Sequence, residues 1–104
     1  MSYSTVDAAD WKERRKPVAR ALGARAIKLN RFDNEPGQAG TEHDERESDQ
    51  EEIYIAVGGR GWIRIDGEEV EFMPGRFVLV SPDSTRQVVA GEDGLAYVVV
   101  GAVP

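Results

Sequence analysis

The chain contains no cysteine and a single histidine. Without cysteine there is no disulfide framework, no thiolate metal site and no thiol nucleophile. With one histidine and no supporting spacing, no Ser-His-Asp arrangement can be built. No apolar run approaches the ~20 residues that a membrane-crossing helix needs. The opening segment is polar and charged, with no apolar stretch of the kind a signal peptide carries. The expectation is a cytoplasmic protein with no membrane partner. Helical signal is equally scarce. Ala8 to Leu22 contains good helix formers, but Pro17 interrupts them by removing a backbone donor. At most a short turn is left near Asp10–Arg15, with Asp10 as its cap.

What is present fits one small domain. The 104 residues are 40% hydrophobic, an ordinary share for a globular core of modest size. The net charge of −6 is unevenly spread. Residues 1–31 hold eight Lys/Arg against Asp7, Asp10 and Glu13, a net of +5, which leaves −11 on the remainder. A basic arm of this kind raises the question of nucleic acid. The simpler reading is that the arm satisfies the acidic body, in the same subunit or a neighbour, so no nucleic-acid partner is expected. Trp11 sits within the arm, and an aromatic there is suited to pinning it onto an apolar surface. The division read from this is a basic N-terminal arm over residues 1–24 and a β domain over 25–104.

From Arg25 onward the pattern is that of strands. Ile27, Leu29 and Arg31 alternate with Lys28 and Asn30. A turn cluster, Asp33-Asn34-Glu35-Pro36-Gly37, is followed by an acidic stretch that enters an apolar strand, Ile53 to Val57. Gly58-Gly59-Arg60-Gly61 reads as a strand connection. No helix follows it, so it is not a phosphate loop. Trp62 to Ile65 and Val70 to Phe72 flank Asp66-Gly67, a two-residue hairpin signal because both central positions of a type I′ turn need positive φ. Further strands are read at Phe77–Val80, Arg86–Ala90 and Leu95–Val100, with turns at Ser81–Ser84 and Gly91–Gly94. Seven or eight short strands with regular turns imply an antiparallel sandwich or barrel.

The backbone marks from about Ile27 to Val100 resemble a small single-domain cupin. The first motif of that family has a Pro-Gly turn, a pair of histidines, a glutamate and a glycine. Pro36-Gly37, Glu51 and Gly58 stand in that order here. The second motif has glycine, Pro-Gly, a strand, a proline turn and a histidine. Gly67, Pro74-Gly75, Phe77–Val80 and Pro82 match it in order. The resemblance implies an all-β, single-domain cupin-type jelly-roll barrel of antiparallel strands. It also implies pairing into a homodimer, with the arm around Trp11 a candidate for that contact.

The ligand positions depart from the family pattern. The two histidine positions before Glu51 are occupied by Asp44 and Arg46, or by Glu45 and Glu47. His43 lies just outside that window, and the histidine position of the second motif is Arg86. Arginine cannot ligate a cation: it stays protonated and has no acceptor lone pair. Three readings of Arg86 stand side by side: a buried ion pair with Glu51 in place of a metal's charge, a clamp for a carboxylate or phosphate ligand, and a solvated side chain. His43 is read either as solvated or carboxylate-bonded, or as a ligand of a divalent metal together with Glu45 and Glu51. The acidic run from Glu42 to Asp49 is a solvated loop face or a weak Ca²⁺ attractor.

The expected ligand-binding residues are therefore His43, Glu45, Glu51 and Arg86. The expected function is a small-molecule-binding barrel with a degenerate metal site and no resident cofactor. The alternative is a metal-dependent cupin enzyme of the oxygenase or isomerase type, using His43, Glu45 and Glu51.

Overall fold

The computed structural model describes residues 2–104. Six strands are hydrogen-bonded into one antiparallel sheet: β1 (Arg15–Lys16), β2 (Lys28–Asn34), β3 (Glu51–Ile65), β4 (Glu68–Phe72), β5 (Phe77–Val80) and β6 (Arg86–Ala102). The order across the sheet is β1-β2-β6-β3-β4, with β5 pairing β3 beside it. The sheet curls around a core made by Tyr54, Ala56, Ile63, Phe72, Val80, Val88 and their neighbours, without its ladder closing on itself. This is an all-β fold.

The two longest strands carry the architecture. β3 and β6 pair from Glu51↔Ala102 to Ile65↔Arg86, with register shifts between Ala56 and Gly58 and between Gly59 and Gly61. The connections read at Gly58–Gly61 and Gly91–Gly94 are therefore not turns. They are bends inside continuous strands, made where the backbones come too close for side chains. A Cβ on Gly59 would lie 2.1 Å from the Gly94 carbonyl oxygen, and one on Gly61 would lie 2.2 Å from that of Val89. Bulges at glycine let one long strand turn sharply and continue within the curled sheet. Local composition cannot separate such a bend from a loop, which is why the sequence reads as seven or eight short strands where six are found.

The hairpin at Asp66-Gly67 forms as its sequence dictates. Asp66 has φ 48° and Gly67 φ 87°, and Ile65 pairs with Glu68 across the two-residue loop. The Asp66 carboxylate also accepts the Thr85 N–H at 2.9 Å, tying the hairpin to the start of β6.

The N-terminal segment is joined to the sheet rather than trailing from it. A 3-10 turn occupies Ala8–Asp10, just before the turn expected near Asp10–Arg15, and Asp10 closes it rather than capping its start. Pro17, whose missing donor is tolerated at a helix start, precedes the short helix α1 (Val18–Leu22), which Gly23 ends at φ 81°. β1 pairs with β2 through Arg15↔Phe32 and Lys16↔Arg31. Lys16, 5% exposed, donates to Asp33 at 2.8 Å, and Asp33 donates its N–H to the Arg14 carbonyl. Lys16 of the arm thus pairs with Asp33 of the acidic body within one chain. The contact also fixes Arg14 over the barrel.

Candidate functional site

The loop between β2 and β3 runs along the start of β6 and forms one wall of the cavity. Ala39 and Val89 are bridged, as are His43 and Arg86, the latter by both backbone hydrogen bonds, at 2.9 and 2.8 Å. Arg86 lies at the end of the cavity and is 1% exposed. A charge so buried must be matched, and four hydrogen bonds match it. Its Nε donates to the Tyr54 hydroxyl at 3.3 Å, and its Nη2 to Glu52 Oε1 at 3.0 Å. Its Nη1 donates to the carbonyls of Ser81 and Ser84 at 3.2 and 2.6 Å. Tyr54 in turn donates to Glu52 Oε1 at 2.9 Å. Four of the five donors of a guanidinium are thus engaged inside the protein. One N–H is left, so no bidentate pair of donors remains for a carboxylate or phosphate, and the side chain is not solvated. It is the ion-paired member of a closed network.

Its partner is Glu52, not Glu51. Successive side chains of a strand point to opposite faces, and β3 turns Glu52, Tyr54 and Ala56 inward while Ile53 is 41% exposed. Glu51 falls on the other face and does not line the cavity. Adjacent glutamates at the mouth of a strand are indistinguishable by composition. The apolar alternation of Ile53, Ile55 and Val57 points to the wrong face as the inner one.

His43 and Glu45 do line the cavity with Glu52 and Arg86. The His43 Nδ1 lies 3.0 Å from the Thr41 carbonyl, which makes it the protonated nitrogen. Nε2 then faces Glu52 Oε1 at 3.7 Å and Glu45 Oε2 at 3.9 Å. The Glu52 carboxylate, above all, raises the imidazole pKa, partly opposed by burial and helped by Thr41. Burial pushes Glu52 up, but His43, the Tyr54 hydroxyl and Arg86 more than offset it and hold the carboxyl below its ordinary range. Burial drives the Tyr54 hydroxyl far up, so it stays a neutral donor.

These residues do not fit a divalent cation. Among the described residues no group of three or more His, Cys, Asp or Glu side chains is arranged to hold one. The oxygen of Glu52 nearest His43 is already taken by a guanidinium and a hydroxyl. A fixed positive charge 3.0 Å from that oxygen repels a metal at the same carboxylate.

The cavity, about 260 Å³, has two ends. Toward Arg86 it is the polar network. Toward β2 it is aromatic: Phe32 and Tyr97 stack at 5.0 Å between centroids, and Tyr54 lies 6.4 Å from Tyr97. Arg14 reaches over this end, its guanidinium carbon 5.1 Å from the Phe32 centroid and its Nη1 donating to Asn34 at 3.0 Å. Glu52, Tyr54, Tyr97 and Arg14 are not picked out by the sequence reading. The first three need strand parity, and Arg14 needs the arm's docking.

No family model matches the chain, and no curated protein matches it. Solved structures do. A cupin protein from Bacteroides fragilis superposes with a TM-score of 0.85 at 23% identity, over 99% of this chain and 86% of that one. A sugar phosphate isomerase from a cupin superfamily, from Silicibacter pomeroyi, gives 0.73 at 23% identity, covering 88% of this chain and 60% of that one. A predicted oxalate decarboxylase from Thermotoga maritima gives 0.73 at 18% identity, covering 86% and 79%. The fold is that of a small cupin-type domain. The chain spans less than two thirds of the isomerase, and likeness at these identities carries the fold and no reaction.

Proposed function

We propose that this chain is a small-molecule-binding cupin-type domain in which a buried arginine network stands where a metal would be held. The observation that carries the reading is Arg86, buried at the family's histidine position and neutralised by Glu52 beside an otherwise open cavity. A concave pocket with an aromatic floor and a few convergent polar groups is the usual form of a small-ligand site. Elemental analysis of the purified full chain tests the first half of this reading, with less than a tenth of an equivalent of transition metal expected. Thermal-shift screening against a small-molecule library tests the second, with hits expected that Tyr97→Ala abolishes.

A second reading has one observation in its favour. His43 Nε2 lies within 4 Å of both the Glu45 and Glu52 carboxylates. If about one equivalent of metal is found, and lost in both His43→Ala and Glu52→Gln, a metal-dependent cupin enzyme becomes the better reading.

The partner proposed is a small molecule, not nucleic acid or a membrane. None of the described helices is long and apolar enough to cross a bilayer, and a cysteine-free chain suits the cytoplasm. We also infer a homodimer. Trp11 is already half-buried in the single chain, so the exposed apolar face of β3 and β5, with Ile53, Phe77 and Leu79, is the better candidate for the contact. Light scattering at high micromolar concentration is expected to give twice the chain mass.

A further inference from the structure

Two guanidiniums from the N-terminal segment, Arg14 and Arg15, line the cavity beside Arg86. Only Arg86 has a carboxylate within ion-pair distance; neither Arg14 nor Arg15 has one among the described residues. Arg14 is nonetheless held in place, by neutral groups. Asn34, 5% exposed, accepts from its Nη1, and the Phe32 ring lies beneath it. Gly40 lines the cavity beside Nη1 and leaves there the place of a side chain. A Cβ there would sit 3.5 Å from Nη1 and 3.4 Å from the Tyr97 hydroxyl.

An arginine kept by β1 over an aromatic cavity, with no anion of its own, is a preorganised anion acceptor. The lining holds three arginines against two carboxylates, Glu45 and Glu52, and Glu52 is already spent on Arg86. In a chain of net charge −6 the cavity is a positive spot on an acidic body. The Tyr97 hydroxyl, beside Arg14, has its pKa pushed up to about 12, chiefly by burial, and remains a donor at neutral pH.

Building on the small-molecule reading above, we propose that the cavity takes an organic oxyanion, a carboxylate or phosphate on a small flat apolar body. The oxyanion is bound by Arg14 and the Tyr97 hydroxyl near Gly40. The body lies against the Phe32–Tyr97 stack. Arg14 then acts as a specificity-determining residue supplied by the N-terminal segment, and Arg86 supports the wall without touching the ligand.

The test is titration calorimetry on the full-length protein at low salt. The probes are benzoate and phenyl phosphate, against benzamide and benzyl alcohol of similar size. The oxyanions are expected to bind and the neutral probes to bind at least tenfold more weakly, about what one charge-assisted hydrogen bond contributes. Whichever of benzoate and phenyl phosphate binds more tightly identifies the head group. Arg14→Gln should erase the preference and Arg14→Lys retain part of it. Arg64→Gln, which removes the same charge from the exposed pair with Glu69, should leave it intact. Circular dichroism on each variant separates lost binding from lost folding. Equal binding of neutral and anionic probes, or a preference that survives in folded Arg14→Gln, overturns the oxyanion assignment while leaving a small-molecule site. If none of the four probes binds and the library screen is also blank, the small-molecule reading itself falls.

Discussion

At the start of β3 the two faces are inverted relative to an ordinary sheet. Inward, the first residues are Glu52 and Tyr54, closed into a network with Arg86. Outward, Ile53 and Ile55 pair across to Leu79 and Phe77 on β5 and to Val100 and Val98 on β6. Phe77 is 67% exposed and Leu79 62%, whereas the Glu52 side chain is 13% exposed. At this end of the strand charge is inside and apolar surface outside, whereas farther along Ile63 is buried and Arg64 exposed. The lesson is that alternation marks two faces without saying which one is the core.

The inner face is the place where the largest effect is expected. Arg86→Met strands the Glu52 carboxylate in the barrel wall, and a loss of about 3 kcal/mol or more is expected in urea unfolding. Glu52→Gln combined with Arg86→Met should recover part of it, because no uncompensated charge is left. Glu51→Gln, on the opposite parity, should change stability by less than about 0.5 kcal/mol. Equal costs for Glu51→Gln and Glu52→Gln would break the assignment of faces.

Register, and hence which face is inner, is set in part by the Asp66-Gly67 hairpin. Gly67, at φ 87°, faces open space: a Cβ there would meet nothing within 4 Å, so its substitution costs backbone strain alone. Gly67→Val is expected to lower stability by about 1–3 kcal/mol, since a β-branched residue strongly disfavours positive φ. An unchanged denaturation midpoint would contradict that.

Smaller still is the pH response of the inner face. The His43 pKa is raised above its ordinary value of 6.5 by Glu52. A raised histidine stabilises the fold fully below the unfolded value, and that contribution fades as pH rises through the higher folded value. The stability difference between wild type and His43→Gln should therefore be largest below about pH 6.5 and shrink above it. With His43 partly exposed, it should stay under about 1 kcal/mol. A difference that grows with pH would show that the imidazole is held neutral.

The outer face should give the smallest change in the stability of a single chain. Phe77→Lys with Leu79→Glu is expected to cost within about 0.5 kcal/mol where both proteins are monomeric. The same pair should reduce the mass seen by light scattering at high concentration from two chains to one. A variant still of double mass would move the contact elsewhere.

The sequence by itself determined the strand content, the tight Asp66-Gly67 turn and the order of the cupin-like backbone marks, because each depends on local conformational preference. It also singled out Arg86 as unfit to hold a metal, from the chemistry of guanidinium alone. Which glutamate meets Arg86 was decided only in three dimensions. Glu51 and Glu52 differ by one residue, and strand parity is fixed by the packing of Tyr54 and Ala56 into the core. The bends of β3 and β6 likewise needed the partner backbone, since Gly59 and Gly61 are required by carbonyls some thirty residues away. Arg14 reached the cavity because Lys16 found Asp33 and β1 joined the sheet. That contact links distant stretches of chain, and no local pattern encodes it.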